Sequence, residues 1–538
     1  MMEKQPYNNY FVGEKDLKYV PPYFRDTPET TSEVDCVIKG VWPEWLNGTF
    51  VRIGAGRFTI PLSEDNSKPN AVLQHFFDGL GILHKFTMSN GQVRYSSRHT
   101  AEGIVRRAQK EGFVSTTMFG INANTPLKLA QDPCSALLGA QQSLFVPSGH
   151  LEPDAANVNV VPRRGMHLPK DDNPLSRGAA SENPAEEEIL VHTDFNMLQV
   201  CNAKTLEPKR LLTYANVDPE LSGFGICAHP PRDRQRGTTY NYLISQEGVM
   251  FCFALDVVSN PAKLLWKTAL PCKPCYIHSL AMTQDYVVFI RNVMDMLEVE
   301  SESNTFFYVL RKSDGELIAS YSSPNFMFFH SVNAYDFVDD FTGDTNIHVD
   351  LCSYEGNYIP YREYTLSNVV DPARPYQDGT LVRYELASVN KADLQKTERA
   401  TVAQAIPGVA LELPRISGNA GASPGTEVPI GRLGNGLKVV QAAFFSCIVK
   451  TDWETGGWVK WQPEDGESCP CEPIFIARPG ATEEDDGVVL TIVINKKGTH
   501  SILVALRGTD LKEVSRANMP QVYGVGPHGS FIEAPGMY

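Results

Sequence analysis

No apolar run in this 538-residue sequence approaches the roughly 18 residues that a membrane-spanning helix needs. The N-terminal stretch MMEKQPYNNYFVGEKD also lacks the apolar core of a secretory signal. Positive charge is in short supply: 48 Lys and Arg against 63 Asp and Glu give a formal net charge of −15. That balance argues against nucleic acid as a partner, because neutralising a phosphate backbone takes clustered Lys and Arg. Cysteine is sparse and odd in number, eleven over the whole chain, which fits reduced core thiols rather than a disulfide framework. The nucleophile-elbow motif G-x-S-x-G, the P-loop and H-E-x-x-H are all missing. GVGPHG at 524–529 satisfies G-x-G-x-x-G in form only, since no βαβ unit surrounds it and no helix follows to hold a pyrophosphate. The chain reads as globular, intracellular and cytoplasmic, with the sequon at Asn47 unused.

Helical periodicity is scarce too. Its best cases are EGIVRRAQK (102–110) and DPCSALLGAQQSLF (132–145). What the sequence does have is a long series of short runs rich in β-branched and aromatic residues, such as VVLTIVIN, HSILVAL, FFYVLRK and DYVVFIRN, each bounded by turn residues drawn from 41 Gly and 37 Pro. Neighbouring runs pair as hairpins: EGVMFCFALD with AKLLWKTAL, and DGVVLTIVIN with SILVALRG. An all-β body of this length is a barrel, a sandwich or a propeller, and radial blades extend one domain furthest without leaving long open edges. The polar, Pro-rich segment 162–188 reads as a mobile surface insertion.

Four histidines end or interrupt hydrophobic runs: His229 in GFGICAHPP, His278 in CYIHSLAMT, His330 in FFHSVNAYD and His528 in GVGPHGSF. Their separations are 49, 52 and 198 residues, the last close to four times 50, and a propeller blade takes roughly 40–50 residues. One histidine per blade, all pointing at the central axis, would make an imidazole site for Fe, Cu, Zn or Ni. Any single histidine also reads as an ordinary hydrogen-bonded core or surface residue. Three acids lie in apolar settings where they could accept from a ligating histidine: Asp194 in VHTDFNMLQV, Glu412 in ALELPRI and Glu472 in CEPIFI. Each reads equally as the outward residue of an alternating strand. Cys272, Cys275 and His278 resemble half a zinc site with Cys469 and Cys471 as the other half, but the second spacing is too short for a zinc knuckle.

Nine ordered segments resemble the carotenoid cleavage oxygenases: WLNGTFVRIGAGRF (45–58), FFDGLGILHKF (76–86), TDFNMLQVCNAKTLE (193–207), AHPPRD (228–233), IHSLAMT (277–283), FFHSVNAYD (328–336), ELPRI (412–416), EPIFIARPGATEEDDGVVL (472–490) and PHGSF (527–531). The resemblance runs from about residue 35 to the end and is closest to the branch of the animal carotene oxygenases and the retinoid isomerase. It implies an all-β, seven-bladed β-propeller with a cap of helices and loops over the iron centre. Residues 1–34 would be an N-terminal extension and 35–538 a single oxygenase domain. It implies one Fe(2+) per chain held by His229, His278, His330 and His528, with Glu412 and Glu472 bonded to ligand histidines. Asp194 stands where the family has a glutamate, one methylene longer, so its bond to a histidine is expected to run through water. GAG at 54–56 replaces the common G-P-G.

The implied reaction is cleavage of a C=C bond of a carotenoid or apocarotenoid with O2 as co-substrate, giving aldehyde or ketone products such as retinal, with no side-chain acid or base assigned. The implied partner is a lipophilic polyene. The segment around Cys134, Leu137, Leu138, Leu144 and Phe145 matches the family's membrane-contacting patch, so peripheral membrane association is expected there, against a capping helix packed on the propeller. Other functions compatible with the sequence are cleavage of a stilbene-type phenylpropanoid, retinoid isomerase-like chemistry, and a non-catalytic propeller that binds partners.

Overall fold

In the computed structural model, residues 20–114, 151–291, 304–356, 364–369, 379–410, 412–416, 430–433, 446–468, 470–524 and 526–533 are described. Nearly all of the regular structure is β. The runs picked out by composition form the expected hairpins: Met250–Asp256 pairs antiparallel with Lys263–Ala269, and Gly487–Ile494 with Ser501–Arg507. The helical period at 102–110 gives Glu102–Glu111. Gly112 ends that helix in the left-handed conformation at φ 79°. Ile104, Val105 and Ala108 face inward from it, against Phe24, Phe58 and Phe76.

Among the described residues seven sheets have four or five strands and one has two. Within the larger sheets the chain mostly meanders, so each strand pairs with its sequence neighbour. Strands such as Thr238–Ile244 and Gly487–Ile494 are buried along their whole length because both faces meet other sheets. The sheets share their cores in a cycle. Tyr242 and Cys252 pack with Val287 and Phe289 of the next sheet, and Ile290 and Phe307 of that sheet pack with Val349 and Leu351 of the one after. Cys352 then meets Val449, Ile448 meets Val504, Leu490 meets Phe86, Val51 meets Val191, and Leu190 meets Leu243. The last of these contacts returns to the first sheet, which closes a ring.

Strands from the two ends of the sequence complete that ring. His528–Glu533 pairs with Gly48–Arg57, and Val37–Gly40 pairs with Glu513–Asn518. The returning segment lies so close that a Cβ on Gly524 would stand 2.3 Å from the Ala55 carbonyl oxygen, so the glycines of GVGPHG serve backbone approach, not phosphate binding.

Two expectations about segments meet particular structure. Within 1–34, Val20 and Phe24 are buried in the core and the strand Thr30–Asp35 pairs with Gln92–His99. Segment 162–188 overlaps the strand Val161–Arg164 and buries Met166 and Leu168. The stretch 132–145, with Cys134, Leu137, Leu138, Leu144 and Phe145, lies outside the described residues. No helix among the described residues is long and apolar enough to cross a membrane.

Candidate metal centre

Six of the seven residues singled out for the site stand at or near a strand at the edge of its sheet. His229 and His278 each precede a two-residue strand, Arg232–Asp233 and Ala281–Met282, by three positions. His330 lies inside Phe326–Val338, and His528 opens His528–Glu533. Glu412 opens Glu412–Arg415, and Glu472 precedes Ile474–Ala477 by two. Asp194 follows the second strand of its sheet, Glu188–His192. The segments are stitched together at the centre: the His229 N–H donates to the His278 carbonyl at 3.3 Å, and the Ile226 N–H to the Asp194 carbonyl at 3.2 Å.

The structure brings the four imidazoles together. One ring nitrogen from each of His229, His278, His330 and His528 lies within 4.8 Å of the others. The Nε2 atoms of His229 and His528 are 3.1 Å apart, and those of His330 and His528 are 3.4 Å apart.

The Nδ1 atoms of three of these rings point outward to carboxylates. His528 Nδ1 is 2.9 Å from Glu472 Oε1, His330 Nδ1 is 2.5 Å from Glu412 Oε2, and His278 Nδ1 is 3.0 Å from Asp194 Oδ1. A carboxylate only accepts, so each of these Nδ1 atoms carries a proton, which in the neutral ring leaves the lone pair on Nε2. Two Nε2 lone pairs 3.4 Å apart, with no proton to share, repel each other, and a shared cation resolves that conflict. Two imidazoles at right angles, each about 2.1 Å from one ion, have nitrogens about 3 Å apart, so the residues fit a metal.

Electrostatics agree. Burial pushes His528 down to about 3, outweighing the opposing pull of Glu472, with smaller repulsion from His330 and His278 in the same direction as burial. His229 is held well below the usual imidazole range by burial and by the other three rings. Both are therefore neutral at pH 7, as ligands must be. Burial alone would raise Glu472, but Arg415, His528 and Arg52 hold it well below the usual carboxylate range. Glu412 and Asp194 have no Lys or Arg partner among the described residues, leaving two uncompensated acids, the charge that a divalent ion balances.

Asp194 corrects the expectation of a water-mediated contact: its bond to His278 is direct. The backbone link to Ile226 carries Asp194 close enough for its shorter side chain. The Tyr276 hydroxyl stands 2.9 Å from the same His278 nitrogen and also bonds Asp194.

Four supporting residues were not singled out from the sequence. The Tyr354 hydroxyl donates to Glu412 Oε1 at 2.9 Å. Arg415 Nη2 donates to Glu472 Oε2 at 3.1 Å and to the Gly529 carbonyl at 3.0 Å. Fully buried Arg52 donates to the carbonyls of Glu472 and Gly526 at 2.7 and 2.8 Å. Tyr276 is the fourth. Leu413 adopts a left-handed φ of 53°, and its N–H donates to Glu412 Oε2 at 3.0 Å. A strained residue beside a site residue is a recurrent functional signature. Cys275 and Cys471 sit in different apolar cores and do not join in a zinc site, whereas Cys227 Sγ accepts from the His229 N–H at 3.2 Å and donates to the His278 carbonyl at 3.0 Å.

The family model described as retinal pigment epithelial membrane protein matches residues 23–533. The chain belongs to that family, the carotenoid oxygenases. The oxygenase chain is 28% identical to a torulene dioxygenase of Fusarium fujikuroi, over 92% of its own length and 90% of that protein. It is 26% identical to a carotenoid dioxygenase of Neurospora crassa, over 95% and 90% of the two chains. Among solved structures, a Synechocystis apocarotenoid oxygenase superimposes with a TM-score of 0.71 at 18% identity, covering 96% of this chain and 99% of the other. A lignostilbene dioxygenase of Pseudomonas brassicacearum gives 0.69 at 18% identity, covering 99% and 100%. The fold of this oxygenase chain is thus a β-propeller.

Proposed function

We propose that this protein is a non-haem Fe(II) dioxygenase that cleaves a C=C bond of a carotenoid or apocarotenoid with O2 to give aldehyde or ketone products. In this reading the seven four- or five-stranded sheets are the seven blades. The observation that carries it is the convergence of four imidazoles from four sheets, three of them fixed by carboxylates. Support for the substrate class comes from relatives named as torulene and carotenoid dioxygenases that match over nine-tenths of the chain.

His229, His278, His330 and His528 would hold the iron, with Asp194, Glu412 and Glu472 orienting three of the rings. A ferrous ion supplies the redox-active centre that ground-state O2 needs in order to react with an alkene. The rest of the work falls to the chain. Glu412, held by Tyr354, and Glu472, held by Arg415, keep protons on Nδ1 and lone pairs on Nε2. An aromatic wall adjoins the rings: Phe329 meets the His278 ring edge-on with centroids 5.5 Å apart, Phe77 meets Phe329 at 6.3 Å, and Tyr364 meets Phe77 at 5.1 Å. Such a wall suits a flat conjugated chain and limits water at the reacting bond. Depth along it would choose which double bond is cut. Delivery of the polyene from a membrane through Leu137, Leu138 and their neighbours belongs to the same proposal.

Product analysis after incubating iron-loaded protein with β-carotene, torulene, an apocarotenal and resveratrol under oxygen is the direct test. Carbonyl products from at least one polyene, abolished in His278→Ala, are expected. Products from resveratrol alone would replace the reading with phenylpropanoid cleavage. Purified protein without stoichiometric iron, inert on every substrate, would make it a binding module.

A further inference from the structure

The protein is acidic overall, and several of its deeply set cations are paired with acids. Lys312 Nζ lies 2.6 Å from Asp233, Arg383 is 2.7 Å from Asp350, and Arg516 is 2.6 Å from Glu467. Fully buried Arg52 instead donates to backbone carbonyls, and Arg163 has neither arrangement. Arg163 makes a single hydrogen bond among the described residues, from Nη1 to the Pro230 carbonyl at 2.8 Å, and no ion pair, although a guanidinium has five donors. That bond places its head beside the strand Arg232–Asp233, which follows His229.

The groups around Arg163 are a neutral imidazole and further arginines. His192 pairs directly with Val161, two residues before Arg163 on the same strand, so both side chains emerge on one face of the sheet. His192 is buried, and its Nδ1 has no partner among the described residues. Arg232 and Arg234 make no ion pair among the described residues either, and Arg164 donates only to the Glu533 carbonyl, at 3.2 Å. The acid nearest in sequence to Arg232, Asp233, is occupied by Lys312 and Arg236. Burial, with repulsion from Arg415 and Arg232, brings Arg163 down to about 10. Burial, with the charges of Arg163 and Arg232, brings His192 down to about 3. A half-buried guanidinium without a counter-ion is costly, and an anion that accepts from Arg163, from the buried His192 ring and from the exposed Arg232 beside them offsets that cost.

We propose that Arg163, His192 and Arg232 form a binding site for a small oxyanion, a carboxylate, bicarbonate or phosphate, within the propeller. Asp194 and Glu472 mark its boundary with the metal centre. Asp194 lies two residues beyond His192, and Arg415, which repels Arg163, holds Glu472. The site stands whether or not the protein cleaves carotenoids.

Isothermal titration of full-length, metal-loaded protein with inorganic phosphate, bicarbonate or acetate, at constant ionic strength, tests it. Saturable 1:1 binding of at least one of the three is expected, weakened at least tenfold in both Arg163→Gln and Arg232→Gln. Arg236→Gln, whose side chain is held by Asp233 and Asp285, should leave it unchanged. If Arg163→Gln does not fold, the more exposed Arg232→Gln decides alone. Absence of saturable binding by the wild type with all three anions overturns the site, as does binding that survives undiminished in Arg232→Gln.

Discussion

The three outward-facing imidazole nitrogens do not end on equivalent partners. Glu412 serves His330 and is itself held by Tyr354 and the Leu413 N–H, whereas Asp194 shares His278 with the Tyr276 hydroxyl. Removing the acid that fixes a ligand typically lowers metal affinity 10–100-fold, so Glu412→Ala should do so, read by competition with a chelator. Tyr276→Phe should cost less, a few-fold, because Asp194 still accepts from His278, and Asp194→Ala should cost more than Tyr276→Phe. Equal losses in the two would show that the hydroxyl is as important as the carboxylate. The histidines were legible in the sequence through their pitch and, with Glu412 and Glu472, through the family motifs. Arg52 and Arg415 were not: a charged residue inside a strand ordinarily faces water, and only tertiary packing reveals that Arg52 is fully buried against backbone carbonyls.

Strand composition foretold the hairpins well, because runs such as Gly487–Ile494 carry seven consecutive strand-forming side chains. It did not foretell the two-residue strands Arg232–Asp233 and Ala281–Met282, which are too short to show any alternation yet anchor two histidine segments. The same limit explains why 162–188 read as an insertion: its polar composition hides the four-residue strand Val161–Arg164. At this scale the returning segment near residue 524 is the sensitive point. Gly524→Ala would push a methyl group against the Ala55 carbonyl, a backbone atom that has little room to yield. Overpacking of this kind costs typically 1–3 kcal/mol, so the urea midpoint should fall while Gly343→Ala, whose Cβ would meet nothing within 4 Å, changes it less. Gly343 has φ 68°, so a small conformational penalty remains there.

Over the whole molecule, several buried histidines stay neutral, and that ties stability to pH. The folded values of His192 and His528 are depressed to about 3 from the ordinary 6.5, chiefly by burial. The unfolded chain therefore binds more protons between pH 6.5 and 3, and stability falls as pH drops through that window. Each such group should cost about 2 kcal/mol between pH 6.5 and 5. Metal-free protein should show this in urea midpoints at pH 7 and 5, and a flat profile would contradict the buried, neutral assignment. The ring itself bears on how the protein is made. Because His528 pairs with Ile53 across the closing sheet, ribosomal synthesis must pass residue 528 before the fourth ligand exists. A nascent chain thus carries only three of the imidazoles over the 198 residues between His330 and His528, and a four-histidine site for metal is postponed until the ring of sheets has shut on its own beginning.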